Sequence, residues 1–153
     1  MSAQLIVRVQ ESDFDTSALQ AGLLAGNAGE GAVATFTGYV RNANAGNAVA
    51  SMTLEHYPGM TEKSIAEILD LAAQRWPILA ASVVHRVGTL QPGEQIVWVG
   101  VASAHRAAAF SACEFLMDYL KTRAPFWKKE QGAGKAHWVD AKASDNTRAD
   151  RWR

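Results

Sequence analysis

The chain has 153 residues, 48% of them hydrophobic, and its 15 basic side chains balance 15 acidic ones. This size predicts one globular domain that buries roughly 70% of the surface exposed by the unfolded chain. A zero net charge disfavours a broad nucleic-acid-binding face, and no apolar run approaches the roughly 20 residues that a membrane span needs. Because the N-terminus also lacks the layout of a signal peptide, we expect a cytoplasmic protein that binds neither nucleic acid nor membrane.

Alternation of apolar and polar residues predicts five strands, and helical spacing of apolar residues predicts two main helices. The strands are expected at 4–9, 32–40, 51–57, 81–87 and 95–102. Thr61 is a suitable N-cap for the first main helix, which Pro77 ends. Ser103 is placed to cap the second, expected over 103–120, and Pro125 prevents its continuation.

The order of these elements favours an α+β fold with a mixed or antiparallel sheet over a doubly wound one. We expect one domain over residues 1–143 and a polar, Arg-rich tail over 144–153 that is loosely held. A shorter helix is expected within 15–25. Residues 41–49, rich in Asn and Gly, are interpreted as a flexible connection that could close over a ligand, and a plain hairpin loop explains them equally well.

Between residues 121 and 129 the chain carries four cations and no acid, namely Lys121, Arg123, Lys128 and Lys129. A Pro-Phe-Trp sequence, interpreted as a turn, lies among them. Cations beside aromatic residues just after a helix are typical of a pocket for a compact anion, although cations also favour solvated helix ends. Because neighbouring positive charge lowers the pKa of a lysine, Lys121 and Lys128 are candidate catalytic residues.

Two further cationic segments could hold an anion: Arg41, after the second strand, and the pair His105 and Arg106, in the first turn of the second main helix. Each could instead be an ordinary exposed residue. A helix over 103–120 is roughly 27 Å long, so its two ends cannot line one small pocket of one chain. Either the ends serve different sites, or a symmetric dimer brings the N-terminal end of one helix to the C-terminal end of the other.

The sequence gives no sign of a metal site or of a cysteine nucleophile. The single cysteine, Cys113, lies on the apolar face of the second main helix, where we expect a buried structural thiol. The four histidines show none of the close spacings of metal-binding motifs. His85 and Arg86 lie within a strand, where structural roles are expected.

With these residues in view, the chain resembles the large, catalytic subunits of molybdopterin synthases. Two segments, LEHYPGM and MDYLKTRAPFWK, are highly specific in this order and spacing. The resemblance extends over roughly residues 31–142. The matching segments are TFTGYVRN (35–42), LEHYPGMTEK (54–63), HRVG (85–88), PGE (92–94), SAHR (103–106), DYLKTRAPFWKKE (118–130) and WV (138–139).

This resemblance implies an α/β-hammerhead fold and a homodimer in which each protomer binds a small ubiquitin-like subunit, giving a heterotetramer. The small subunit carries sulfur as a thiocarboxylate on its C-terminal Gly-Gly. Its tail enters a pocket of the large subunit, and two sulfurs pass in turn to cyclic pyranopterin monophosphate, forming the dithiolene of molybdopterin. No metal and no bound cofactor are implied for the large subunit.

The match also implies roles for individual residues. Lys121 resembles the family lysine beside the incoming tail, as general acid or electrostatic stabiliser, and Lys128 resembles a second functional lysine. Arg41, His105 and Arg106 resemble the group that holds the phosphate and the pterin. The other implied substrate-binding residues are Tyr39, Val40, Lys129 and Glu130. The implied pocket wall consists of Phe36, Met117 and Lys142, and a core role fits the first two equally well.

Two positions depart from the family pattern, since Tyr39 stands where some members carry a lysine and Lys142 where an arginine can stand. Two other functions stay open at this point. A non-catalytic module that only docks a ubiquitin-like tail would tolerate Lys121→Ala. An RNA-binding domain would use Phe126 and Trp127 for base stacking, but the neutral overall charge argues against it.

Overall fold

Over residues 2–132, 135–140 and 142–153, the computed structural model describes two four-stranded sheets, a short hairpin and four helices. In chain order the elements are β1 (Gln4–Gln10), α1 (Thr16–Ala21), β2 (Ala32–Tyr39), β3 (Ala43–Asn44), β4 (Asn47–Ala48), β5 (Ser51–His56), α2 (Met60–Arg75), β6 (Ile78–Arg86), β7 (Gly88–Leu90), β8 (Gln95–Ser103), α3 (Arg106–Arg123), β9 (Phe126–Gly132), β10 (Lys135–Val139) and α4 (Ala143–Asp150).

The first sheet has the strand order β1-β6-β8-β2 and is mixed, because β1 runs parallel to β6 while the other pairs are antiparallel. Its central strands, β6 and β8, are buried on both faces. Helices α2 and α3 cover one face and form the main core, with Ile65, Leu69, Phe115 and Leu116 packed against strand residues such as Val83. This sheet is therefore the rigid support on which α3 lies.

The second sheet has the strand order β10-β9-β5-β7 and is antiparallel throughout. Its inward-facing side chains on β5, Met52 and Leu54, pack with Val40 and Leu90 into a smaller core. The β3–β4 hairpin lies in the connection between the first sheet and the second. The predicted α+β class, with mixed and antiparallel sheets and two main helices, is confirmed.

Residues 144–153, expected as a loosely held tail, mostly form helix α4 and pack on α3. Asp118 of α3 is buried and accepts hydrogen bonds from Arg148 Nε at 3.2 Å, Arg151 Nη2 at 3.0 Å and Trp152 Nε1 at 2.7 Å. The Trp152 ring also packs edge-on against Phe115, at 5.7 Å between centroids. The sequence did not indicate this attachment, because the segment is mostly polar and is held by the buried Asp118 carboxylate and by the single aromatic ring of Trp152.

Two helix caps differ from the prediction. Helix α2 begins after Gly59, and Thr61 is instead a buried helical residue whose hydroxyl accepts from Tyr57 N–H and donates to the Tyr57 carbonyl. Helix α3 begins after His105, which makes no side-chain capping bond, while Ser103 is the last residue of β8. The predicted ends hold, since α2 ends before Pro77 and α3 before Pro125.

The Pro-Phe-Trp sequence is not a turn, because Phe126 and Trp127 already belong to β9. The prediction missed β9 and β10 since the inward positions of β9 are not uniformly apolar. Phe126, Lys128 and Glu130 point to one side of the strand, and Trp127 and Lys129 to the other. A strand with charged residues on its inward face does not produce the usual alternation.

Candidate functional site

A cavity of about 640 Å³ lies where the C-terminal end of α3 meets both sheets. Strands β2 and β8 of the first sheet form one side of it, and β9 of the second sheet forms another. The β3–β4 hairpin and the start of α4 complete the lining. The cavity therefore draws residues from segments that are distant in sequence, and its rigid side is the first sheet.

Two lysines from different elements meet in this cavity: Lys121 from the last turn of α3 and Lys128 from β9. Burial, the charge of Lys121 and a hydrogen bond to Lys121 together lower the pKa of Lys128 to about 8. Lys142 acts in the same direction, whereas Asp145 opposes the shift. Lys128 can therefore exchange a proton near neutral pH, as an acid–base group requires.

Most of the predicted site residues line this one cavity. They are Phe36, Tyr39, Arg41, Met117, Lys121, Lys128, Glu130 and Lys142. Arg41, Lys121 and Lys142 are exposed at the cavity, so solvent reaches three of the four cations, and Lys128 is the one that is partly buried. Such a cluster attracts a compact anion, since a partly enclosed site strengthens charge interactions relative to bulk water.

Glu130 is the buried carboxylate of the cavity, with 4% of its surface exposed. Its Oε1 accepts a hydrogen bond from Asn44 Nδ2 of the hairpin at 3.0 Å, and His137 Nε2 lies 3.7 Å from the same oxygen. These contacts tie β9 to both the hairpin and β10. A carboxylate among cations reduces the net positive charge that an incoming anion meets.

Four predicted residues lie outside the lining of the cavity. Val40 is buried in the smaller core, with 2% of its surface exposed. Lys129 points away from Lys128 on β9, and its ammonium lies 5.6 Å from the Trp138 ring centroid. His105 and Arg106 are exposed at the other end of α3, roughly 27 Å away along 18 residues.

Several cavity residues were not predicted as part of the site, and Asp145 and His85 are two of them. Asp145 reaches it because α4 packs on α3, which the sequence did not indicate. His85 stacks on Phe126 with ring centroids 3.8 Å apart, and burial lowers its pKa to about 3. Its Nδ1 lies 2.8 Å from the Arg86 carbonyl, so the neutral ring donates through Nδ1. His85 thus supports the apolar wall without adding charge.

Cys113 is buried on α3, with Sγ 4.0 Å from the Val99 carbonyl oxygen. Burial raises the pKa of its thiol to about 12. At neutral pH the thiolate, which is the nucleophilic form, is therefore essentially absent. The predicted structural role of this cysteine agrees with its position.

Residues 9–123 match the family model described as MoaE protein. The chain belongs to the MoaE family. A relative from Ralstonia nicotianae, the molybdopterin synthase catalytic subunit, is 59% identical over 146 residues, which cover 95% of this chain and 83% of that one. The family identified from the sequence is thus confirmed, and with it the enzymatic function: a molybdopterin synthase catalytic subunit in molybdenum cofactor biosynthesis.

Solved structures agree with the MoaE assignment. The molybdopterin biosynthesis MoaE protein from Burkholderia ambifaria has a TM-score of 0.82 and 49% identity, covering 99% of this chain and 98% of that one. A chain of the Helicobacter pylori complex of subunits 1 and 2 of molybdopterin-converting factor shares the fold, with a TM-score of 0.73, 18% identity and coverage of 89% and 91%.

The described residues of this MoaE chain contain neither a cluster of metal ligands nor a membrane-spanning helix. No group of three or more His, Cys, Asp or Glu side chains there could hold a metal ion. None of the helices in the described part of the chain is long and apolar enough to cross a membrane. That the subunit needs no metal or cofactor stays a prediction.

Proposed function

We propose that the cavity between α3 and β9 is where sulfur passes from the thiocarboxylate of a small ubiquitin-like subunit to cyclic pyranopterin monophosphate. The observation that carries this proposal is the lysine pair, Lys121 and Lys128, within a cavity that draws on both sheets. The only cysteine is buried and its thiol pKa is raised to about 12. Sulfur must therefore come from a partner rather than from this chain.

The charges of the cavity suit both anions of this reaction. A C-terminal thiocarboxylate and a phosphate-bearing pterin are each negatively charged, and Arg41, Lys121, Lys128 and Lys142 line the cavity. Arginine suits the phosphate because its fork can donate two parallel hydrogen bonds. The half-buried Met117 and the exposed Phe36 offer apolar surface for the pterin ring or the peptide tail.

In each transfer the carrier's sulfur forms a bond to a side-chain carbon of the pterin and displaces the oxygen on that carbon, which leaves as water or as the oxygen of the opened cyclic phosphate. Water then cleaves the acyl–sulfur bond to the carrier glycine. The carrier leaves as an ordinary carboxylate, and the sulfur stays on the pterin. Lys121 stabilises the negative charge that develops on the acyl oxygen, or donates a proton to the leaving group. Lys128, with its pKa near 8, takes or returns the proton of the water that cleaves the acyl–sulfur bond. This chemistry needs no resident metal or cofactor.

The proposed assembly is a homodimer with one small subunit bound to each protomer. The Helicobacter pylori complex, whose chain shares this fold, supports a two-subunit arrangement. His105 and Arg106 lie too far from Lys121 to reach the same cavity within one chain. We propose that the partner protomer supplies them, so that the phosphate is held by cations from both chains. We also propose a cytoplasmic location.

A single-turnover assay tests the proposal. Purified protein, a thiocarboxylated ubiquitin-like subunit and cyclic pyranopterin monophosphate are mixed, and dithiolene pterin is measured after quenching. We expect product only when all three components are present. A carrier that ends in an ordinary carboxylate is the matched control, because it docks in the same way but brings no sulfur.

Failure of this assay would favour a different function. If the protein binds the carrier but forms no product with any pterin, it is a docking module. If it retains RNA in a salt-dependent way and ignores the carrier, the exposed Trp127 and Trp138 are the stacking residues of an RNA-binding domain.

A further inference from the structure

The buried carboxylate of Glu130 is unusual among the cations of this cavity. Attraction of the phosphate or of the carboxylate-like tail does not explain it, because a carboxylate repels both anions. A buried charge also lowers stability unless it is paired or hydrogen-bonded. Its position therefore calls for a different reason.

The contacts of Glu130 supply that reason. Its Oε1 accepts a hydrogen bond of 3.0 Å from Asn44 Nδ2, across 86 residues of sequence. Both side chains line the cavity. Asn44 belongs to the segment 41–49, which we call the strap, and Arg41 is the first residue of that segment. The hydrogen bond thus joins the strap to β9, the strand that carries Lys128.

The other contacts of the strap are consistent with this attachment. At its tip Ala45 and Gly46 both have left-handed backbone angles, with φ of 52° and 82°, as a two-residue hairpin requires. At its far end the Val49 N–H donates to the Asn42 carbonyl at 2.9 Å. The next residue is bonded to β9, since Ala50 N–H donates to Gln131 O at 2.7 Å.

Close packing holds the far end of the strap as well. A Cβ at Gly132 would lie 2.1 Å from the Ala48 carbonyl oxygen, so only glycine allows this approach of β4 to β9. The far end is therefore fixed by backbone contacts. At the near end, Val40 is bonded through its backbone to Gly93 and Glu94, and the Asn42 carbonyl is bonded to Val49. Between Asn42 and the tip, the side-chain bond between Asn44 and Glu130 attaches the strap to β9.

We propose that Glu130 is a positioning residue: its hydrogen bond to Asn44 holds the strap against β9 and so keeps Arg41 at the cavity that contains Lys128. Arg41 then meets the phosphate of the substrate already in place, without having to order the strap on binding. The substrate part of this inference depends on the function proposed above, whereas the attachment of the strap does not.

Amide hydrogen exchange of residues 42–48 in the protein without substrate tests the attachment. Loss of a hydrogen bond to a charged acceptor costs enough free energy to raise the local opening equilibrium of a segment by about tenfold or more, and its amide exchange rate rises with it. Glu130→Ala and Asn44→Ala should each raise the exchange rate of the strap by about that factor. The double variant should exchange no faster than either single variant, because both remove the same bond.

Two variants separate the hydrogen bond from other effects. Glu130→Gln keeps an oxygen that accepts from Asn44 but removes the charge, so its exchange rate should lie between those of the wild type and Glu130→Ala. Asn47→Ala is the matched control, a substitution of the same type at an exposed position of the hairpin, and should change little. Asn44→Ala keeps the test valid if Glu130→Ala fails to fold.

The kinetic test uses the same variants in the sulfur-transfer assay. Asn44→Ala and Glu130→Ala should raise KM for the phosphate-bearing pterin several-fold while kcat changes little, and Glu130→Gln should restore KM in part. The inference is overturned if Glu130→Gln exchanges as fast as Glu130→Ala, if Asn44→Ala leaves the strap unchanged, or if the strap loosens while KM stays constant. The exchange results stand even if the protein proves to have another function.

Discussion

The two ends of α3 both carry basic residues, but the surroundings of these residues differ. At the N-terminal end His105 and Arg106 are exposed, on the first turn of the helix. At the C-terminal end Lys121 lies beside Lys128 in the cavity, and the pKa of Lys128 is lowered to about 8. Both ends were predicted to bind an anion, but only the second lines a cavity of this chain, where Lys121 is exposed and Lys128 is partly buried.

The difference shows that enclosure, rather than the number of cations, turns basic residues into a reactive site. Burial is the largest cause of the lowered pKa of Lys128, ahead of the charge of Lys121. His105 and Arg106, by contrast, are exposed and lie outside this cavity. The N-terminal end of α3 is thus incomplete in one chain, and the predictions below follow from this contrast.

The largest effect is expected at the enclosed end. Lys121→Ala should lower the single-turnover rate of sulfur transfer by about 100- to 1000-fold, because it removes the charge that stabilises the transition state. Arg123→Ala is the matched control, two residues further along α3, where the guanidinium lies 3.9 Å over the Tyr119 ring. It should keep most of the activity. Equal losses of activity in the two variants would mean that the overall positive charge at this end of α3, rather than Lys121 itself, supports the reaction.

The second effect concerns the exposed end. Arg106→Ala should lower the rate by about 10- to 100-fold if the partner protomer brings this residue to the cavity. The measurement is complementation: inactive Lys121→Ala and Arg106→Ala dimers are mixed, dissociated and reassociated. A mixed dimer has one site with both residues intact and should regain up to half of the wild-type activity. No recovery, with mixed dimers demonstrated, would place His105 and Arg106 outside the site.

A smaller effect is expected from pH. The pKa of Lys128 lies below its ordinary value, so this lysine is charged below about pH 8 and neutral above it. Affinity for inorganic phosphate, measured by calorimetry, should therefore weaken by a few-fold to about tenfold between pH 7 and 9.5. Lys128→Arg stays charged over this range and should remove most of the change. The same decline in both proteins would assign the titration to another group.

The smallest effect is expected at Cys113. Cys113→Ala should leave sulfur transfer unchanged, since the thiol is buried and its pKa is raised to about 12. Loss of the buried sulfur should cost about 1 kcal/mol of stability, which is a shift of a few degrees in Tm. Thermal unfolding and the single-turnover assay check the two parts separately. A large loss of activity in a stable variant would revive the cysteine as a sulfur carrier.

The sequence predicted the strands of the first sheet and both main helices because their apolar residues follow simple periods. It missed β9 because the inward-facing side chains of that strand include Lys128 and Glu130, which face a cavity rather than a core. A functional surface inside a protein breaks the pattern on which strand prediction depends.

The candidate site was predicted in part. Lys121 and Lys128 stood out by local charge, and the resemblance added Arg41, Glu130 and others. Asp145 could not be predicted, because it reaches the cavity only through the packing of α4 on α3. Val40 was predicted with the site by the resemblance, but it follows the end of β2 and its side chain is buried in the smaller core.

The attachment of α4 has a consequence for the order in which the structure forms during synthesis. Asp118 is buried, and its three donors lie 30 to 34 residues later, at Arg148, Arg151 and Trp152. While the ribosome has made the chain only as far as β10, this carboxylate has none of these donors, and Asp145 has not reached the cavity. Completion of the core beside α3 and completion of the cavity wall are therefore the same late event in synthesis.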